Sequence, residues 1–163
     1  MRKQNQMRPI IICFLLMAFS FQLSAQNVPK RIQAKRTTAS IKIDGNIDDA
    51  AWKDAAIAAD FVEWRPDFGK PELPTSKTII YLLYDNTSVY VAGYVHERTK
   101  DSISRELIGR DKVGINDFVG VIFDTYNDKI NGVGFYVTPY GEQYDAKYSN
   151  SGDEDDSWNS VWD

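Results

Sequence analysis

Aromatic rings and carboxylates are the side chains of this sequence with chemistry to offer. Four Trp and nine Tyr stand beside 23 Asp and Glu, with a single His and a single Cys. Indole and phenol rings stack on the flat, apolar C–H faces of sugars, whose hydroxyls seek planar polar partners. Trp64, set between Glu63 and Arg65 in a proline-rich stretch, is one candidate for such a contact. Trp158 and Trp162 are two more; spaced four apart, they share one face of either a strand or a helix. Carboxylates supply hard oxygen ligands for Ca²⁺, and Asp117, Asp124 and Asp128 are the candidate metal ligands. No EF-hand loop is present: no Gly follows Asp153, Asp155 and Ser157, and Asp44, Asn46 and Asp48 lack the closing Glu.

Catalytic chemistry is poorly provided. There is no Gly-x-Ser-x-Gly elbow and no HExxH, and the lone His96 ends a β-rich run, where it reads as a surface or satisfied polar residue. A glycosidase needs two carboxylates held a set distance apart across a sugar ring, usually in a deep cleft. With 23 acidic residues, any pair could be put forward and none is singled out. The expectation is a domain with no catalytic residues of its own.

The N-terminus places Arg2, Lys3 and Arg8 ahead of an apolar run from Ile10 to Phe21, followed by the small-residue site Leu23-Ser24-Ala25. That is the pattern of a secretory signal peptide over residues 1–25, and the apolar run is short of the roughly 20 residues a membrane-spanning helix needs. Export to the periplasm, outer membrane or cell surface is expected. Cys13 lies in the leader without a lipoprotein cleavage pattern, so the mature chain has no cysteine and must fold by core burial alone. Met1, Met7 and Met17 leave with the leader too, so a Met/His-ligated haem cannot be assembled. Removing three cations takes 19 Lys and Arg to 16 against 23 acids, a net charge of −7 that argues against nucleic acid as a partner.

The elements that must carry these side chains are mostly strands. Residues 26–40 read as a tether or lead-in strand. Ile41 and Ile43 alternate with polar neighbours as a first strand, Asp44-Gly45 turns, and Asp48 is placed to cap a short helix. That helix is expected over Asp48 to Asp60, rich in Ala and carrying Trp52 into the core. Pro66, Gly69, Pro71 and Pro74 make 61–76 a loop that presents Trp64 and Phe68. Period-two runs follow at 78–84, 89–96, 117–124, 132–138 and 142–148, separated by turn residues. The expected fold class is all-β, a two-layer antiparallel β-sandwich of immunoglobulin-like or jelly-roll-like kind with one short helix after the first strand.

Two blocks carry a resemblance: IKIDGNIDDAAW at 41–52 and YDNTSVYVAGYV at 84–95. Together they resemble the opening of a carbohydrate-binding module family 9-like domain, whose pattern reads IDG, an acidic residue and Trp, then YD and LYV. The likeness continues through Arg110-Asp111, Asp117, Asp124, Thr138-Pro139, Gly141 and the Trp158/Trp162 ending, covering 41–163. The resemblance implies polysaccharide or oligosaccharide as partner and structural Ca²⁺ as a cofactor; the candidate ligand-binding residues are Trp64, Trp158, Trp162, Tyr84 and Arg110. It also implies further strands after Asp163 and, in one branch of the family, a downstream outer-membrane β-barrel. The alternative expectations are a structural or interaction domain attached to such a barrel, or an accessory domain of a glycosyl hydrolase.

Overall fold

In a computed structural model of the chain, residues 30–150 and 152–163 are described. The signal peptide expected at 1–25 lies outside them. The architecture is all-β, with two sheets whose pairings are antiparallel but for one. This is the sandwich class that the alternating runs predict.

The first sheet is built around β3 (Thr78–Tyr84). Along one side it pairs antiparallel with β4 (Val89–Val95), from Thr78↔Val95 to Tyr84↔Val89. Its other side is shared. β2 (Ala56–Ala58) pairs antiparallel with residues 80–82, and β1 (Lys35–Arg36) pairs parallel at Leu83 and Tyr84. Residues 35–36 thus pair as a short strand, and the Thr37 N–H extends the contact to the Tyr84 carbonyl at 2.8 Å.

The expected first strand and helix are not found. Ile41 to Ile43 forms no strand, and the alanine-rich segment makes a short 3₁₀ helix, Ala50–Asp54, before β2. Helix propensity is a weak preference that packing overrides. Here Ala51, Trp52 and Ala55 are buried with Leu83, and Ile41, Ile47, Tyr81, Tyr90 and Ala92 close around them. Small Ala side chains let the backbone at Ala56 lie against Leu82 as a strand, which a second helical turn would prevent. Asp48 is not the cap. Asp49 occupies that position, and its carboxylate instead accepts the Lys42 N–H at 2.9 Å. Trp52 is in the core as expected, edge-on to Tyr81 with ring centroids 6.5 Å apart.

The second sheet is a meander of β5 (Val119–Phe123), β6 (Gly132–Val137), β7 (Gln143–Tyr148) and β8 (Glu154–Asp155). The last, two-residue strand has no alternating pattern to betray it. In register, Gly120, Tyr136 and Tyr144 lie side by side, as do Val121, Phe135 and Asp145 one residue along. Successive side chains of a strand point to opposite faces, so the tyrosines and Asp145 belong to different sides of this sheet.

Acidic side chains tie the turns. Asp85, between β3 and β4, accepts the N–H groups of Thr87 at 2.7 Å and Ser88 at 2.8 Å, and the Tyr90 hydroxyl at 2.9 Å. These bonds favour the charged form, the Thr87 N–H most, and lower its pKa to about 2. A carboxylate with a depressed folded pKa adds stability above its unfolded value and loses it as pH falls through the folded one. Asp85→Asn is therefore expected to lower the urea midpoint at neutral pH. The gap to wild type should close as the pH drops from about 4, the ordinary aspartate value, to about 2.

Candidate functional site

Segment 61–72 is a loop with internal order. A bridge pairs Val62 with Pro71, the Glu63 N–H reaches the Lys70 carbonyl at 2.7 Å, and the Glu72 N–H reaches the Phe61 carbonyl at 3.1 Å. Gly69, at φ +83°, makes the reversal that a side chain would strain, and its N–H closes on the Glu63 carbonyl at 2.8 Å. The Glu72 carboxylate accepts the Thr78 N–H at 2.9 Å, which ties the base of the loop to the start of β3. At the tip, Trp64 and Phe68 meet edge to face with centroids 5.0 Å apart. They are 69% and 60% exposed. On the same loop Lys70 bridges Glu63 at 3.4 Å and Asp67 at 3.2 Å. Its pKa is raised, mostly by the Asp67 hydrogen bond and then by the Glu63 charge, so the ammonium is retained. The loop thus presents two open rings beside fixed charged groups.

Arg110 and Trp162 are deployed differently. Both reach Asp145, a carboxylate with no exposed surface: Arg110 Nη2 donates at 2.9 Å, Trp162 Nε1 at 3.0 Å and the Ser160 N–H at 2.9 Å. Arg110 also donates to the Gln143 side chain, to the Asn159 carbonyl oxygen Oδ1 at 3.2 Å and to the Ser160 carbonyl at 2.8 Å. Gln143 returns a bond from Nε2 to the Trp162 carbonyl at 3.0 Å. Trp158 and Trp162 each stand edge-on to Phe135, at 6.1 and 5.4 Å, and Lys147 lies 5.2 Å from the Trp158 ring. The two indoles flank one phenylalanine, and every donor named here has a protein acceptor. Tyr84, at the end of β3, is 38% exposed and stands apart from both groups, paired with Val89 and Arg36.

Asp117, Asp124 and Asp128 are not gathered into a metal site. Among the described residues no three His, Cys, Asp or Glu side chains come together to hold an ion. Each carboxylate accepts backbone N–H groups instead, locally for Asp124 and Asp128 and from a more distant segment for Asp117. Asp117 takes the Ser104 N–H at 2.9 Å. Asp124 takes those of Asp128 and Lys129, and Asp128 those of Ile130 and Asn131, all between 2.8 and 3.1 Å.

No family model, curated protein or solved structure matches this chain. Sequence reasoning misses Gln143 and Asn159, and it misses the pairing of Asp145 with Arg110; these contacts span 33 to 49 positions. One signal was available: Asp145 interrupts a run of tyrosines and alanine inside a strand, where an acid has no place unless it is paired.

The Asp145 cluster yields a graded expectation. Removing the acceptor with Asp145→Ala leaves several donors unpaired and should cost about 3 kcal/mol in urea unfolding. Trp162→Phe removes one N–H and keeps most of the ring, so about 1 kcal/mol is expected.

Proposed function

We propose that this chain is a non-catalytic carbohydrate-binding domain that acts outside the cytoplasm. The observation that carries the reading is the Trp64/Phe68 pair, two rings left in water on a loop whose backbone and ion pairs hold it in shape. Large exposed rings are costly unless something covers them, and the hydrophobic faces of sugars match their size and flatness. Glu63, Asp67 and Lys70, on the same loop, are paired with one another and offer both acceptors and a donor to sugar hydroxyls. A preformed platform loses little entropy on binding, which suits a single stacking site of modest affinity.

A second reading, a structural or interaction domain attached to an outer-membrane barrel, draws on a different surface. Val89, Val91 and Val95 project from one face of β4 at 51%, 39% and 52% exposure. An apolar stripe of this kind suits protein contact better than sugar.

Calorimetric titration with xylo- and cello-oligosaccharides separates the two. The binding reading expects saturable heat, lost by about tenfold or more in affinity for Trp64→Ala. Because Trp64 is exposed, that variant should unfold within about 0.5 kcal/mol of wild type. Absence of heat with every glycan would favour the interaction reading.

A further inference from the structure

The tyrosine side of the second sheet holds a cavity that the proposed sugar platform does not use. Part of its lining is the Tyr136 ring, which lies over two glycines. A Cβ on Gly120 would lie 2.1 Å from Cδ1 of Tyr136, and one on Gly134 would lie 2.7 Å from Cε2 of the same ring. Tyr136 therefore lies down across its neighbours, and the missing side chains are what give it room. Phe118 stands edge-on to it at 5.7 Å and Tyr144 tilts against it at 5.5 Å. With Tyr148 these rings line a cavity of about 600 Å³.

The remaining walls are acidic. Asp111, Glu154 and Asp156 line the same space, and no Lys, Arg or His does. Asp111 Oδ1 is buried without a hydrogen-bond partner among the described residues, while its other oxygen lies 3.7 Å from Arg110 Nε. The phenols carry the mark of this surrounding: burial first, and then Glu154 and Asp156, hold the Tyr144 hydroxyl above its ordinary pKa. Tyr148 is raised likewise, by burial and then by its bond to Tyr136.

What separates the candidate ligands is the count of free donors. The Tyr136 and Tyr148 hydroxyls bond to each other at 2.7 Å, and the Tyr144 hydroxyl donates to Glu154. Two of the three phenolic protons are committed inside the wall, one within the Tyr136–Tyr148 pair and one on Glu154, so the cavity offers ring faces, carboxylate oxygens and a single hydroxyl donor. A sugar ring needs several donors as well as acceptors for its hydroxyls. An anion would meet like charge. A bare metal ion lacks three converging ligands here, since none are found among the described residues. An organic ammonium group needs only what is present: ring quadrupoles for its charge, carboxylates for its N–H or polarised C–H groups, and apolar contact for its carbon.

We propose that this cavity is a binding site for a small organic cation, a primary or quaternary alkylammonium. Tyr136, Tyr144 and Phe118 provide the aromatic surface, and Glu154 and Asp156 provide the charge. The site is separate from the Trp64 loop and stands or falls independently of it.

Calorimetry on the full chain tests the assignment with two pairs of probes. Choline is compared with neohexyl alcohol, its uncharged carbon isostere, and glucosamine is compared with glucose. At least one cation should bind saturably, about tenfold or more tighter than its neutral counterpart. Binding by choline alone identifies ring faces as the dominant contact, and binding by glucosamine alone identifies the carboxylates. Glu154→Gln keeps an acceptor for the Tyr144 hydroxyl and Asp156→Asn is a surface change, so both should fold. Each should weaken the bound cation several-fold, while Trp64→Ala leaves it unchanged. The proposal is overturned if neither cation saturates, if the neutral isosteres bind as well, or if both charge-removing variants bind like wild type.

Discussion

A carboxylate that has no contact with water is the constraint on which the second sheet depends. Burying a charge costs several kcal/mol unless partners replace the lost hydration. Asp145 meets that demand with an Arg, an indole N–H and a backbone N–H, drawn from the connection before β5 and from the segment after β8. The strand that carries it cannot be buried unless both segments arrive. Arg110 is 39% exposed, so its charge is shared with solvent while its Nη2 stays on Asp145. The pair thus couples elements 35 positions apart in the chain to one atom group. The Phe135 cluster uses the same arrangement: the indole held by Asp145 is the one that packs at 5.4 Å on Phe135.

The same chemistry, repeated at the surface, accounts for much of the chain's acidity. Turns between strands expose N–H groups that no ladder satisfies, and a neighbouring Asp is the shortest acceptor available. Asp44, Asp49, Asp85, Asp124, Asp128 and Asp155 each take at least one backbone N–H. A carboxylate so used points back at its own loop. That is why aspartates that look like cation ligands in the sequence do not converge.

How much of this was legible before the fold was known follows from the range of the forces involved. Strands β3, β4, β5, β6 and β7 could be read nearly to the residue, because alternation along a half-buried strand is a local signal. The loop at 61–76 was equally plain from its prolines and glycine. The segment at 48–60 defeats a local reading for the opposite reason: alanines favour a helix in isolation, yet here their smallness serves the packing of Trp52 against Leu83 and Tyr81. β1, β2 and β8 are two or three residues long and exist only through their partners. Trp158 and Trp162 were recognisable as a pair sharing a face, but not that Phe135 would stand between them. A sequence gives the type of a side chain and its local period; it does not give the acceptor that a distant strand will bring.

The four indoles then divide by what is done with their edges and faces. Trp52 is enclosed and its Nε1 lacks an acceptor among the described residues, a cost that only close packing of the ring can offset. Trp162 spends its N–H on Asp145, and Trp158 faces Phe135 and Lys147. Trp64 alone turns most of its ring to water, on a loop held by its own backbone bonds and by Glu72 rather than by the core. Stability and exposed aromatic surface are thereby assigned to different parts of the chain. A substitution at the loop tip can change what the rings meet without disturbing Leu83 or Asp145, whereas any change at Asp145 reaches the sheet first. This separation lets surface aromatics vary while the two sheets stay fixed, and it means that loss of a contact at Trp64 and loss of the fold are distinguishable events in any measurement that records both.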